Sequence, residues 1–232
     1  MVPVAGQRLS QLEWWFRQNR ERTGLWPIVI GDFDDVVMEF EEPDEGTVEE
    51  IYQEALAVSL EDLLAEYRER AEDALAVERD PEWLRHHNPR FGLGPDDDGF
   101  WAGEPGRYQN LGASPIGYSE DPDQVLALFE VDRGSDVLAE VGWHAIGSSA
   151  SVAEHVRLLR HLQDRYRIVL VGLSSTSLDL MMEQPIGSPD EAVDLATTIY
   201  EYASSLGIDS SESLGAVASC LREGGFLRPW WD

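Results

Sequence analysis

IVLVGLSSTSLDLMM, residues 168–182, is the stretch that decides the fold. Its first six residues are aliphatic or glycine, the composition of a strand buried on both faces. The serines and threonine at 174–177 read as a turn, and SLDLMM alternates well enough to be a second strand. Upstream, SVAEHVRLLRHLQDRYR from Ser151 spaces Val152, Val156, Leu159 and Leu162 as the inward stripe of an amphipathic helix. Downstream, SPDEAVDLATTIYEYASS opens with Ser188 as N-cap, Pro189 at the first helical position and Glu191 three residues after the cap. The unit is helix, strand, strand, helix.

The same order is expected nearer the N-terminus. Residues 9–22 predict a helix with Leu9, Leu12, Trp15 and Phe16 on one face, and Thr23-Gly24 stops it. LWPIVIG, ending at Gly31, predicts a short buried strand, and VVMEF at 36–40 a second one. Thr47 with Glu50 at the capping-box position then starts a helix that runs to about Val77. Gly31 and Gly172, Thr47 and Ser188, and Glu13 and Glu154 all keep one offset of 141 residues. The expected fold class is α/β (mixed α+β), with two αββα-type units sharing one core in a single domain, 1–232. The first unit covers 1–80 and the second 124–232. Between them, 81–123 is rich in Gly, Pro, Asp and aromatic residues and reads as an ordered loop insertion. VLALFEV, at 125–131, reads as another buried strand.

The tail FLRPWWD, residues 226–232, places two tryptophans where chains usually fray. With no flexible linker after Gly225, it is expected to dock. Trp230 and Trp231 should be substantially buried, at least one against a helix face such as that bearing Trp15 and Phe16.

Composition restricts the chemistry. The chain has 232 residues, 43% hydrophobic, with 45 acidic residues against 17 basic ones, all of them arginine. Without lysine there is no P-loop lysine and no Schiff-base chemistry. A net charge of -28 repels a phosphate backbone, so nucleic acid is not an expected partner. The start MVPVAGQRLS has no signal-like pattern and no apolar run reaches about 18 residues, so a soluble, cytoplasmic protein with no membrane partner is expected. Cys220 is the only cysteine, which excludes an internal disulfide and a CxxC site.

Tests for a catalytic or metal constellation give none. His155 and His161 are six apart, not at the i, i+4 spacing that lets two imidazoles share a metal, and His86-His87 and His144 lack a ligand set. PDDDG, at 95–99, lacks the alternate ligands and distal glutamate of an EF-hand loop. VGLSSTS offers Ser174 and Ser175 after a strand but no second glycine of a nucleophile elbow. No cofactor is expected.

The acidic stretch 32–54 remains, with eleven carboxylates and no arginine. Residues 1–135 carry 31 acids and 11 arginines, so most of the net charge lies there. High-salt adaptation, general solubility and a surface for a basic partner all account for acidity; the asymmetry favours the last. The partner-binding residues assigned on this ground are Asp32, Asp34, Asp35, Glu39, Glu41, Glu42, Asp44, Glu45, Glu49 and Glu50.

GLWP at 24–27, and above all the order of strand, VGW turn, helix, IVLVGLSSTSLDLMM and closing WWD over 124–232, resemble a bacterial family known as domain of unknown function 4253. IYEYASSLGIDSSES departs from that family's usual pattern after the last long helix. The resemblance implies a mixed α/β domain of bacteria, especially actinobacteria, and supplies no activity. Two functions are therefore expected. One is a non-enzymatic acidic binding protein, an immunity or inhibitor protein neutralising a basic bacterial toxin or effector. The other is a hydrolase-like enzyme with its site in the aromatic loop 91–118.

Overall fold

In the computed structural model, which describes residues 7–31, 46–77, 124–203 and 214–231, the hairpin read from 168–182 pairs antiparallel as β3 (Ile168–Leu173) and β4 (Leu178–Met182). Before it come α1 (Gln7–Gln18), α2 (Arg20–Thr23), β1 (Trp26–Ile30), α3 (Val48–Ala57), α4 (Leu60–Val77) and β2 (Val125–Phe129). A 3-10 turn at Gly134–Asp136 runs into α5 (Val137–Glu140), and α6 (Val152–Tyr166) leads into β3. After β4 come α7 (Pro189–Tyr202), α8 (Leu214–Glu223) and β5 (Phe226–Leu227). The described strands form one mixed sheet in the order β2-β1-β3-β4-β5, in which only β1 and β3 are parallel. The fold is α/β.

Local chemistry sets the element ends. Thr47 and Ser151 each accept the N–H of the glutamate three residues on, and Glu50 and Glu154 reach back to the cap N–H, so α3 and α6 both start on a capping box. Ser188 accepts the N–H of Glu191, with Pro189 at the first position of α7. The single helix expected over 47–77 is divided at Val58, whose backbone is extended. Its carbonyl accepts from the Arg157 guanidinium of α6, and Ser59 restarts the helix by accepting from the Asp62 N–H. The Ser174 side chain closes the β3–β4 turn through the N–H groups of Thr176 and Ser177 and a 2.8 Å contact with the Ser177 hydroxyl.

Register assigns the two sheet faces. Val29 is opposite Gly172, Gly172 opposite Asp179, and Val169 opposite Met181, so these share one face. Trp26, Ile28 and Ile30, with Leu170, Leu173, Leu178 and Leu180, line the other. That second face holds the main core. The 3-10 turn closes on it where Gly134 lies so near the Trp26 ring that a Cβ would come within 2.6 Å. Ile51, Ala55, Leu63, Tyr67, Val156, Leu159, Leu162, Ala192 and Leu195 supply buried helix positions of this core.

The leading helix α1 differs from its expectation. It packs against β1 and β2 on the other side of the sheet, with the Arg17 guanidinium touching the Met181 sulfur. Among its described side chains, 11–18, the buried one is Glu13, while Leu12 and Trp15 are exposed and Phe16 is half-buried; the Leu9 side chain lies outside those described. Apolar periodicity chose the wrong face because Arg17 reaches Met181 on the sheet beneath and brings its ion-pair partner Glu13 inward with it. Of the expected order of helix, strand, strand and helix, the described residues show the helix, the first strand and the capped helix in both segments, and α6 covers one face of the sheet and α1 the other. The strand expected over 36–40 and the loop 81–123 lie outside the described residues. Within VLALFEV the strand is β2, Val125–Phe129, which stands at an edge of the described sheet and is mostly half-buried rather than buried.

The tail docks, on partners other than those expected. Leu178 N–H donates to the Pro229 carbonyl, Trp231 N–H to the Thr176 carbonyl, and Trp230 bridges Ser177. Trp231 is buried and Trp230 half-buried. Trp231 packs edge-on against Tyr202 of α7, His155 of α6 and Trp143, not against Trp15 or Phe16. Trp231→Ala should therefore destabilise the fold by about 3–5 kcal/mol, the cost of emptying a buried tryptophan site. Chemical denaturation reads this directly, and an unchanged midpoint would mean that the tail contributes nothing to the fold.

Candidate functional site

Of the acidic residues assigned to a partner surface, Asp32, Asp34, Asp35, Glu39, Glu41, Glu42, Asp44 and Glu45 lie outside the described residues. Glu49 and Glu50 are exposed in the first turn of α3. Glu50 is held below the usual carboxylate range by hydrogen bonds from the Thr47 N–H and then the Thr47 hydroxyl, so its charge is committed to the cap. The acidic surface continues beyond the assigned stretch. Glu49, Glu50, Glu54, Glu61, Asp62, Glu66, Glu69, Glu72 and Asp73 are all exposed on α3 and the described part of α4. The two arginines there, Arg68 and Arg70, are engaged with Glu201 and Glu66. Sequence reading stopped at residue 54, although the signal was present: Leu63, Tyr67 and Ala71 form the buried stripe, and acids repeat on the opposite side. Like charges four apart, as at Asp62–Glu66 and Glu69–Asp73, cost an isolated helix a few tenths of a kcal/mol each.

Carboxylates taken into the interior are treated differently. Asp136 pairs with Arg160 at 2.9 Å, Asp179 with Arg228 at 2.7 Å, and Glu13 with Arg17 at 3.3 Å. Arg160 also lies over the Tyr52 ring, whose hydroxyl donates to Glu140. Burying an unpaired charge is prohibitive, so these arginines accompany their acids inward.

Among the described histidines the one enclosed completely is His155, caged by Trp143, Tyr202 and Trp231. Its Nδ1 is 2.6 Å from the Tyr202 hydroxyl and its Nε2 3.4 Å from Ser148 Oγ, which also accepts the Ala150 N–H. The fully buried Tyr202 hydroxyl has Nδ1 as its near acceptor. The tautomer that satisfies both groups has Tyr202 donating to Nδ1 and Nε2–H donating to Ser148. Nε2 then has no lone pair to activate the serine, and among the described residues no carboxylate is hydrogen-bonded to the ring. Ser148, His155 and Tyr202 thus form a closed polar network rather than a nucleophile with its base. Desolvation, and secondarily the charge of nearby His144, lower the His155 pKa to about 3. His144 is exposed, His161 is half-buried, and His86 and His87 lie outside the described residues, as do PDDDG and the loop 91–118. Ser174 and Ser175 belong to the β3–β4 turn. Among the described residues no group of three or more His, Cys, Asp or Glu is placed to hold a metal, and no helix is long and apolar enough to cross a membrane.

The path from β2 through the α6–β3–β4–α7 unit to the docked tryptophan is what comparison with known families detects. Residues 125–232 match the family described as Domain of unknown function (DUF4253). No curated protein and no solved structure matches the chain. The DUF4253 match begins at β2, so β1, α1 and the acidic helices α3 and α4 precede it, while the His155 cage and the tail lie within it.

Between pH 6.5 and about 3 the unfolded His155 binds a proton that the folded one refuses, so stability falls as pH falls through that window. The limiting slope from this one group is about 1.4 kcal/mol per pH unit. His155→Phe leaves the Tyr202 hydroxyl without its partner and should melt lower at pH 7. Its loss of stability from pH 6.5 to pH 4 should nonetheless be shallower than that of the native chain. Parallel acid limbs in the two proteins would mean that the imidazole titrates normally.

Proposed function

We propose that the chain is a non-enzymatic acidic binding protein of the cytoplasm that covers a basic protein, in the manner of an immunity or inhibitor protein neutralising a toxin or effector. One observation carries this reading: nine exposed carboxylates on α3–α4 stand against two arginines that are already engaged. A ridge of that charge repels itself and is relieved by a partner of opposite sign. It steers encounter over a Debye length of about 8 Å at physiological salt, while apolar contacts set the lifetime of the complex. The assigned acids from Asp32 to Glu45 would extend the same surface.

Two variants of equal net charge test the reading. Glu54→Gln, Glu61→Gln, Glu69→Gln and Asp73→Asn neutralise the ridge; Glu130→Gln, Glu183→Gln, Asp190→Asn and Asp194→Asn neutralise exposed acids elsewhere. With the native chain and both variants as bait in host lysate, a basic protein should be recovered by the native chain and the second variant and lost with the first. Its association rate should fall about tenfold or more for the ridge variant, with a weaker salt dependence. Equal recovery on all three baits would reduce the acidity to solubility.

A further inference from the structure

Helix α1 is packed with its polarity reversed. Glu13 is 1% exposed, whereas Trp14 is 55%, Trp15 40% and Leu12 38% exposed. The rotation of the helix is set by Arg17, which reaches both Glu13 and Met181 over the sheet. Turning the tryptophans inward would expel that ion pair. Arg22 lies 5.3 Å over the Trp15 ring and Arg20 4.6 Å over Trp26, and Glu21 is the one exposed carboxylate across the described side chains of α1 and α2. On a chain of net charge -28, this is a face where arginines outnumber acids and large indoles meet water. Tryptophan and arginine are the residues that dominate protein interfaces.

We propose that the Trp14–Trp15 and Arg20–Arg22 face of α1–α2 docks the α3–α4 ridge of a second copy of the chain. The ridge has the matching chemistry in both respects. Its carboxylates suit the guanidinium groups, and among them Leu56 stands 67% exposed, an apolar contact for an indole. Because α1 covers one sheet face and the core helices the other, the contact is head-to-tail and leaves a free face at each end. Few residues are involved, so the association is weak and reversible. The inference rests on the reading of the ridge as a binding face and names a second occupant for it.

Sedimentation velocity of the full chain over a concentration series tests this. The native chain should show a mass that rises with concentration at 0.15 M salt. Association should be weaker at 0.01 M, where the Debye length of about 30 Å lets the net charges repel, and weaker again at 1 M, where the arginine–carboxylate contacts are screened. Trp14→Ser with Arg22→Glu breaks the face; Leu56→Ser with Glu54→Arg and Glu61→Arg breaks the ridge. Each alone should associate at least about tenfold more weakly. Mixed, the intact ridge of the first and intact face of the second should pair and stop at two chains. Should the double face variant lose its native melt, Arg22→Glu alone, at an exposed site, carries the same comparison. A native chain that stays monomeric to several hundred micromolar, failure of the natively folded variants to pair, or association that rises steadily from 0.01 to 1 M salt would each overturn the proposal. Ridge-dependent capture of a basic protein by a native chain that does not self-associate sinks this inference alone. Self-association without that capture sinks only the basic-partner reading.

Discussion

Strand β1 lies between β2 and β3 of the DUF4253-matching part of the chain, and its parallel pairing with β3 depends on an absent side chain. Val29 and Ile30 lie beside Gly172 and Leu173, and the Gly31 N–H donates to the Leu173 carbonyl. A Cβ at Gly172 would sit 3.1 Å from the Val29 carbonyl oxygen and 3.1 Å from Asp179 Oδ2. The first of these is backbone and cannot swing away. Glycine therefore lets β1 approach in parallel while Asp179, on the neighbouring strand, bends over the same spot to meet Arg228. Parallel pairing has no tight turn to enforce it, so the close approach has to be built into the strands.

The distribution of charge follows from where each helix lies. On the core side, α3, α4 and α6 bury apolar stripes and send their acids to water, and on the described part of the α3–α4 ridge Arg68 and Arg70 stand among nine exposed carboxylates. On the opposite side, α1 meets a surface already carrying a carboxylate and a polarisable thioether, and it buries a glutamate with its arginine instead. The consequence is an acidic ridge and an aromatic, arginine-bearing face on one molecule. Both lie before the stretch that matches the family.

Closure of the core is an aromatic problem with a polar centre. His155 is enclosed by Trp143, Tyr202 and Trp231, and its two nitrogens are taken by one phenol and one serine. The Trp143 indole N–H donates to the Ser174 carbonyl at 2.7 Å, which ties the cage to the turn of the central hairpin. The terminal strand β5 and the Trp231 backbone hydrogen bond hold the last wall in place. An imidazole kept neutral by burial specifies this packing, since protonation would leave a charge where no carboxylate can answer it.

The sequence by itself determined the elements whose cause is local. The aliphatic run of β3, the serine turn, the Thr47, Ser151 and Ser188 caps, and the buried stripe of α6 all follow from neighbouring residues, because periodicity and side-chain-to-backbone hydrogen bonds act within a few positions. It also pointed to the family and to a docked tail. What only the tertiary structure decided is everything that depends on the opposing surface. A helix containing LEWWF looks as though it should bury its tryptophans; whether it does is settled by the contact of Arg17 with Met181, 164 positions away in the chain. The break at Val58 depends on Arg157, and the seat of Trp231 on Tyr202 and His155. The acidic ridge is an intermediate case: its residues and the i,i+4 pair of Glu66 with Arg70 were legible, but their common exposure on two helices, and the pairing of Arg68 with Glu201, required the packing of α4 against α7.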